Sequence, residues 1–254
     1  NTEGFRRHKT IFPHEQIDEL DRSSRAALGR LRPLLIERGR LGLIRQGHGD
    51  LHLGNIALVD DEPVAFDAIE FDPVIASGDV LYDLAFMLMD LVERDLTAAA
   101  NTVLNGYFEA SRRIEDCDGL AALPLFLSLR AAIRAMVTAA KLERAADDKR
   151  DAVARAAAKY FKLALDLLAP ASPKILATGG LSGTGKSVLA KGLAPFVAPL
   201  PGALVLRSDV YDIGKDFVLD QAGDDAADGQ VRRLRLGARH DQQGRGMFDD
   251  AGDL

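Results

Sequence analysis

The stretch Gln46-Gly47-His48-Gly49-Asp50-Leu51-His52-Leu53-Gly54-Asn55-Ile56 decides how this chain is read. An Asp and an Asn five positions apart in a loop can face one nucleotide. The carboxylate of Asp50 is suited to take a proton from an attacking hydroxyl, and the amide oxygen of Asn55 to hold Mg²⁺. Immediately after it, Ile56–Val59 and Pro63–Phe66 read as two short strands around the turn Asp60-Asp61-Glu62. The second strand ends in Val64-Ala65-Phe66-Asp67, which puts Asp67 twelve residues beyond Asn55 as a second metal carboxylate. Glu70 stands close enough in sequence to share or take that role.

Outward from this segment the chain predicts helices. Between His14 and Arg38, Ile17, Leu20, Leu28, Leu31, Leu34 and Leu35 fall at helical spacing, with Pro33 interrupting or kinking the pattern. From Val80 onward four helical segments are expected, about Val80–Arg94, Ala98–Arg113, Leu120–Arg144 and Lys149–Leu168. In the last of them Val153, Ala157, Tyr160, Phe161, Leu165 and Leu168 share one face. Residues 1–169 therefore predict a mostly α domain with a small hairpin near its start. Pro170-Ala171-Ser172-Pro173 reads as a linker. Past the linker the chain changes in kind: a strand over Lys174–Thr178, a glycine loop over Gly179–Ser187, a helix starting at Val188 and a strand over Ala203–Leu206. That order opens a parallel α/β domain, bounded at about 173–216. Beyond Phe217 the apolar periodicity fades, and 217–254 are expected to form a mobile tail.

The glycine loop reads Gly180-Leu181-Ser182-Gly183-Thr184-Gly185-Lys186-Ser187, a full G-x-x-x-x-G-K-[ST] pattern. Gly180, Gly183 and Gly185 let the backbone wrap so that successive N–H groups, that of Thr184 included, point at phosphate oxygens. Lys186 sets a point charge beside the β- and γ-phosphates, and the Ser187 hydroxyl is a Mg²⁺ ligand. After the next strand come Arg207, Ser208 and Asp209. Asp209 at a strand tip beside a phosphate loop can act as a base toward a hydroxyl substrate; Ser208 or Asp209 can equally cap the next helix.

Composition bounds the rest. With 254 residues, 32 Lys plus Arg against 38 Asp plus Glu and a net charge of −6, the balance argues against general nucleic-acid or anionic-membrane binding, which needs a basic face, and leaves room for one small cationic phosphate pocket. Cys117 is the only cysteine, so an internal disulfide is excluded. Its acidic neighbours Glu115, Asp116 and Asp118 disfavour a thiolate, which reads Cys117 as a plain thiol. No signal peptide is expected at the start of the chain, and no apolar run is expected to reach membrane-spanning length; a cytoplasmic protein is expected.

The motifs carry two resemblances. Gly180–Ser187 with Arg207-Ser208-Asp209 resembles the P-loop kinases of the zeta-toxin and polynucleotide-kinase type. His48, Gly49, Asp50, His52 and Asn55 meet the pattern H-G-D-x-H-x-x-N, and Gly78, Asp79, Asp83, Leu84 and Ala85 meet G-D-x-x-x-D-L-A. Together these resemble the C-lobe of the aminoglycoside phosphotransferase family, relatives of protein kinases. The resemblance implies Asp50 as catalytic base, Asn55 and Asp67 as Mg²⁺ ligands and His48 as a loop brace. Asp79 and Asp83 are then structural, binding the catalytic loop or capping the helix that begins near Val80. The order of the two units, covering about residues 1–210, is similar to bacterial fusion proteins described as bifunctional aminoglycoside phosphotransferase and ATP-binding proteins.

A kinase-like phosphotransferase also needs a strand-rich N-lobe with a lysine for the α- and β-phosphates. Only 47 residues precede His48, and they read as helix, so no N-lobe is expected in this chain, which opens on Asn1 and reads as a piece cut at both ends. The expected function is transfer of the γ-phosphate of ATP, with Mg²⁺, to a hydroxyl of a small molecule, with a second ATP site at the glycine loop. The alternatives are an ATP-sensing module without turnover and an inactive fragment. The acids Glu93, Asp95, Glu109, Glu115, Asp116 and Asp118 form either a lure for a cationic acceptor or an ordinary solvated helix face.

Overall fold

A computed structural model describes residues 2–207 except 114 and 173. The chain opens with α1 (Thr2–Arg6) and the long α2 (His14–Arg40). Pro33 lies inside α2 and does not end it. The carbonyl that the proline leaves without an amide partner belongs to Gly29, which is exposed to water, while Ile17, Leu20, Ala27 and Arg38 bury the helix on both sides of the proline. Packing along the whole helix offsets the ~3 kcal/mol that an interior proline costs.

Next come β1 (Ile44–Gln46), a 3₁₀ turn at Leu53–Asn55, β2 (Ile56–Val59) and β3 (Glu62–Ala65). The strands β2 and β3 pair antiparallel, with Ile56 opposite Ala65 and Val59 opposite Glu62. Asp60 and Asp61 join them at φ 53° and 64°, both left-handed, as a two-residue primed turn demands. Aspartate tolerates that region because its short polar side chain can bond locally. A short α3 (Pro73–Ala76) comes next, capped by Asp72, whose Oδ1 accepts from the N–H groups of Val74 and Ile75 at 2.9 and 3.2 Å. Then β4 (Ser77–Asp79) pairs antiparallel with β1. That second two-stranded sheet is not legible in the sequence, since its strands are three residues each and exposed on β1.

The helices α4 (Val80–Glu93), α5 (Thr97–Ser111), α7 (Leu123–Ala140) and α8 (Asp147–Asp166) fall close to the expected boundaries, and a short α6 (Glu115–Gly119), not expected, stands between α5 and α7. Helix α4 is apolar nearly all round and lies at the centre of the core, with Leu81, Ala85, Leu88 and Met89 fully enclosed. Helix α7 packs on α4 and on α8, and buries the small residues Ala131, Ala135 and Ala139, as α8 buries Ala157 and Ala164. Ser128 of α7 donates to the Ala164 carbonyl at 2.7 Å. Phe5, Phe12 and Phe161 close the core beside α1, with ring centroids 4.9 to 5.1 Å apart.

The expectation that no apolar run reaches membrane-spanning length is corrected by the fold. The helical stretch Asp116–Glu143 is long and apolar enough, by length and composition, to cross a membrane. Just over half of its apolar window is buried inside the protein, where it serves as the core-facing surface of α7.

The glycine-loop segment departs further from expectation. Helix α9 (Lys186–Leu193) starts two residues before the expected Val188, but residues 174–178 and 203–206 form no strand. A parallel strand needs a neighbour for its ladder, and the described residues offer none. Instead, α5 supplies substitutes. Asn101 Nδ2 and Asn105 Nδ2 donate to the Ala203 carbonyl at 3.0 and 3.2 Å, and the Val205 N–H donates to Asn105 Oδ1 at 2.8 Å. These bonds tie Ala203 and Val205 to α5, within the compact unit that ends at Val205. Asp209 and the 217–254 tail lie outside the described residues.

Candidate functional site

Helix α4 seats the His48–Asn55 loop at both ends. Near its start, Asp83 accepts from the His48 N–H at 2.7 Å (Oδ2) and from the Gly49 N–H at 3.0 Å (Oδ1). Two turns on, Asp90 Oδ2 accepts from the Leu53 N–H at 3.1 Å. Asp90 is wholly buried, and its other oxygen accepts from the Tyr160 hydroxyl of α8 at 3.2 Å. Burial first, then the nearby Asp90 and Glu93 charges, hold the Tyr160 phenol above its ordinary value. Acids seven residues apart lie on one helix face, so one rigid element fixes the loop at two points.

Arg130 of α7 makes the third anchor. Its Nη1 donates to the Gly49 carbonyl at 3.2 Å and its Nε to the Tyr82 carbonyl at 3.2 Å. The guanidinium lies over the rings of Tyr82 and Phe86, 4.0 and 4.5 Å from their centroids. Burial lowers its pKa, and the neighbouring Tyr82, Asp83 and Asp50 oppose that effect. The charge stays because arginine's ordinary value is so high. Arg130 and Asp90 are site residues that the motifs do not mark. A signal is nonetheless present for Asp90: it is a lone acid after Leu84-Ala85-Phe86-Met87-Leu88-Met89, and a charge in such a run must be paired.

Held this way, the loop brings Asp50 and Asn55 together. Asn55 is buried, and its Nδ2 donates to the Asp50 carbonyl at 3.1 Å and to Asp50 Oδ2 at 3.3 Å. Its amide oxygen is therefore the end turned away from Asp50. The Asp50 side chain remains 43% exposed, so its carboxylate is open to a substrate. His52 Nε2 lies 3.5 Å from Asp50 Oδ2.

The Asp67 segment joins the loop through its backbone. The Phe66 N–H donates to the Asn55 carbonyl at 3.0 Å, and the Ile69 N–H to the His48 carbonyl at 2.9 Å. His48 Nε2 meets the Phe66 carbonyl at 2.9 Å; a carbonyl only accepts, so this nitrogen carries the proton and His48 braces the loop. Asp67 itself stands at φ 62°, a left-handed value for a non-glycine residue. Such backbone is held by its surroundings and clusters at functional sites. Asp67 is exposed and without a hydrogen bond or ion pair among the described residues. No group of three or more His, Cys, Asp or Glu suited to a metal occurs among the described residues. The oxygens on offer are one amide and one carboxylate, a set that suits a small hard cation keeping several waters.

Behind the loop lies a buried charge cluster. Arg38 of α2 grips Asp79 in bidentate fashion, Nε to Oδ2 at 2.7 Å and Nη2 to Oδ1 at 2.8 Å, and reaches Asp116 at 3.3 Å. Asp79 also caps α4 by accepting from the Leu81 N–H at 2.9 Å, and Tyr107 donates to Asp116 Oδ2 at 2.8 Å. Burial alone would lower the Arg38 pKa; the two carboxylates reverse this and raise it. Burial, with Asp116 beside it, pushes the Tyr107 phenol well above its ordinary value. Asp79 and Asp83 thus divide the structural work expected of them: Asp79 caps the helix and Asp83 binds the loop.

At the glycine loop, Gly180, Gly183 and Gly185 have φ of 148°, 79° and 82°, values that side chains other than glycine rarely adopt. The Thr184 hydroxyl donates to the Leu181 carbonyl at 2.8 Å, and the Lys186 ammonium folds onto the same carbonyl. A cavity of about 360 Å³ is lined by Thr178, Gly179, Thr184, Gly185 and Lys186 with Leu189 and Leu193. Ser187 stands in the first turn of α9.

Comparison with known proteins places the chain beside mycobacterial relatives. It is 32% identical over 176 residues, 69% of its length, to an uncharacterized protein of Mycobacterium bovis and to uncharacterized proteins of two Mycobacterium tuberculosis strains. The chain spans about a third of the length of these curated relatives, 33% in each case. No protein-family model and no solved structure matches it.

Proposed function

We propose that this chain carries the acceptor-side half of an ATP-dependent phosphotransferase, moving the γ-phosphate of ATP to a hydroxyl of a small molecule. Asp50 is the base: its open carboxylate takes the hydroxyl proton as the substrate oxygen attacks the γ-phosphorus, the bond to the β–γ bridging oxygen breaks, and ADP leaves. The Asn55 amide oxygen and the Asp67 carboxylate are the oxygens that would hold Mg²⁺. The ion, when bound, neutralises charge on the transferring phosphate. Asp67 is preferred over Glu70 because it carries the left-handed backbone next to the His48 brace. Gly180, Gly183, Thr184, Gly185, Lys186 and Ser187 form a second ATP site, with Lys186 as the phosphate cation.

The observation that carries this reading is the convergence of Asp50 and Asn55 on one loop, to which the Asp67 segment is bonded through Phe66 and Ile69. A second reading, ATP held at the glycine loop without transfer, is favoured by the cavity around Lys186. The two are separated with radiolabelled ATP. In the phosphotransferase reading, Asp50→Asn lowers turnover about 10²–10⁴-fold while ATP still binds. In the second reading, Lys186→Ala abolishes all ATP binding and Asp50→Asn changes nothing. Absence of ATP binding by the wild-type chain defeats both.

A further inference from the structure

We propose that His52 is the positioning residue for the Asp50 carboxylate, locked in the tautomer that presents Nε2–H to it. This rests on the reading of Asp50 as the base. The His52 ring caps the turn at Leu53–Asn55: the Gly54 N–H reaches Nδ1 at 2.9 Å. A backbone N–H can only donate, so Nδ1 must hold its lone pair and the proton of the neutral imidazole sits on Nε2. That nitrogen is the one 3.5 Å from Asp50 Oδ2. The distance is long for a finished hydrogen bond, but catalytic hydrogen bonds without substrate commonly tighten only when it arrives.

The ring has little freedom to do anything else. Its side chain is 15% exposed, and it packs on Phe86 of α4 with ring centroids 5.4 Å apart. A β-carbon at residue 54 would stand 2.6 Å from His52 Cε1, so glycine there is what admits the N–H to Nδ1. Asp50 Oδ2 also faces Asn55 Nδ2 at 3.3 Å. Asn55 thus bonds this oxygen, and the His52 Nε2–H stands within reach of the same atom. The consequence is directional: Oδ2 is the anchored oxygen, and Oδ1 is the one left to meet the acceptor hydroxyl. Arg130, from α7, adds a positive charge on the far side of the loop through Gly49. A base pinned by one oxygen loses less entropy on reaching the reactive geometry than a freely rotating carboxylate.

The bland alternative is that His52 only caps the turn. Two substitutions distinguish these roles, because each keeps one of the two ring functions. His52→Asn keeps a side-chain oxygen where Nδ1 stands, preserving the cap but not the reach to Asp50. His52→Gln keeps an N–H near the Nε2 position and gives up the cap. The first measurement needs no activity. Long-range ¹⁵N–¹H spectra of the full chain, with His52 assigned by its loss in His52→Asn, report the tautomer. The expected result is a single Nε2–H form whose Nε2 signal moves in Asp50→Ala and stays put in Lys186→Ala. An Nδ1–H form, or a fast average of the two, overturns the proposal.

The second measurement is MgATP turnover with water as acceptor, in the Lys186→Ala background so that the glycine loop does not contribute. His52→Asn is expected to lower kcat about tenfold with the KM for ATP unchanged, and His52→Gln to retain most of it. Equal loss in both variants, or loss in His52→Gln alone, overturns the positioning role in favour of the cap. No turnover in any form counts against the phosphotransferase reading, and the tautomer spectra then decide the His52 assignment by themselves.

Discussion

Arg38 is a guanidinium buried to 1% exposure, flanked there by the carboxylates of Asp79 and Asp116. Removing one side of such a cluster leaves a charge in low dielectric without compensation. Arg38→Met is therefore expected to cost about 3–5 kcal/mol of unfolding free energy, measured by urea titration near neutral pH. Tyr107 gives a sharper test because its effect depends on pH. Its folded pKa is raised above that of the unfolded chain, so the folded state keeps the proton after the unfolded state has released it. The stability it contributes is full below about pH 10, tyrosine's ordinary value, and drains away as pH rises further. Tyr107→Phe should cost about 1–3 kcal/mol at pH 8, where Asp116 loses its hydroxyl donor. That cost should shrink between pH 10 and 11; a constant difference across the range would contradict the assignment. Asp67 makes the third point at this scale. Its residue type suggests a metal ligand, while its left-handed φ of 62° comes only with the fold.

Among the elements, α4 does most to position the site. Tyr82, Asp83, Phe86 and Asp90 lie along one face and meet Arg130, the two ends of the loop and the His52 ring. Asp83→Ala would strip two half-buried N–H groups of their acceptor at once. The expected outcome is a loss of about 2–4 kcal/mol in local stability. Amide hydrogen exchange should then speed up at His48 and Gly49, with Leu53 largely retained by Asp90. Exchange unchanged at His48 would show that Arg130 and the Phe66 contact hold the loop without Asp83. The hairpin β2–β3 is legible in the sequence because its Asp60-Asp61 turn is a local device. The β1–β4 pair is not, since its register depends on residues 35 positions apart, Ile44 against Asp79. Asp72-Pro73, the cap and first-turn pair of α3, is a local signal of the same kind as the hairpin turn.

Over the whole molecule, the helical core and the glycine-loop segment meet through Asn101 and Asn105, one helical turn apart on α5. Asn101→Ala with Asn105→Ala removes all three side-chain bonds to Ala203 and Val205. Hydrogen exchange at the Val205 amide should rise at least tenfold, while exchange at Leu88 and Leu127, deep in the core, stays as it was. A rise at both places would mean that the clamp supports the core as well. The amino-acid sequence by itself determined the four long helices of the 80–166 region and the hairpin, nominated Asp50, Asn55 and the glycine loop as candidates, and left open to Asp79 the capping role it fills. These are matters of spacing and residue chemistry within a few turns of chain. Only the tertiary structure decided that Asp83 and Asp90 grip the loop from α4, that Arg130 backs it from α7, and that Asn101 and Asn105 replace the strand partner expected for residues 203–206. The physical reason is common to all three: buried polar groups must find partners. Which partners are within reach depends on helix packing across tens of residues of sequence, and no local pattern encodes it.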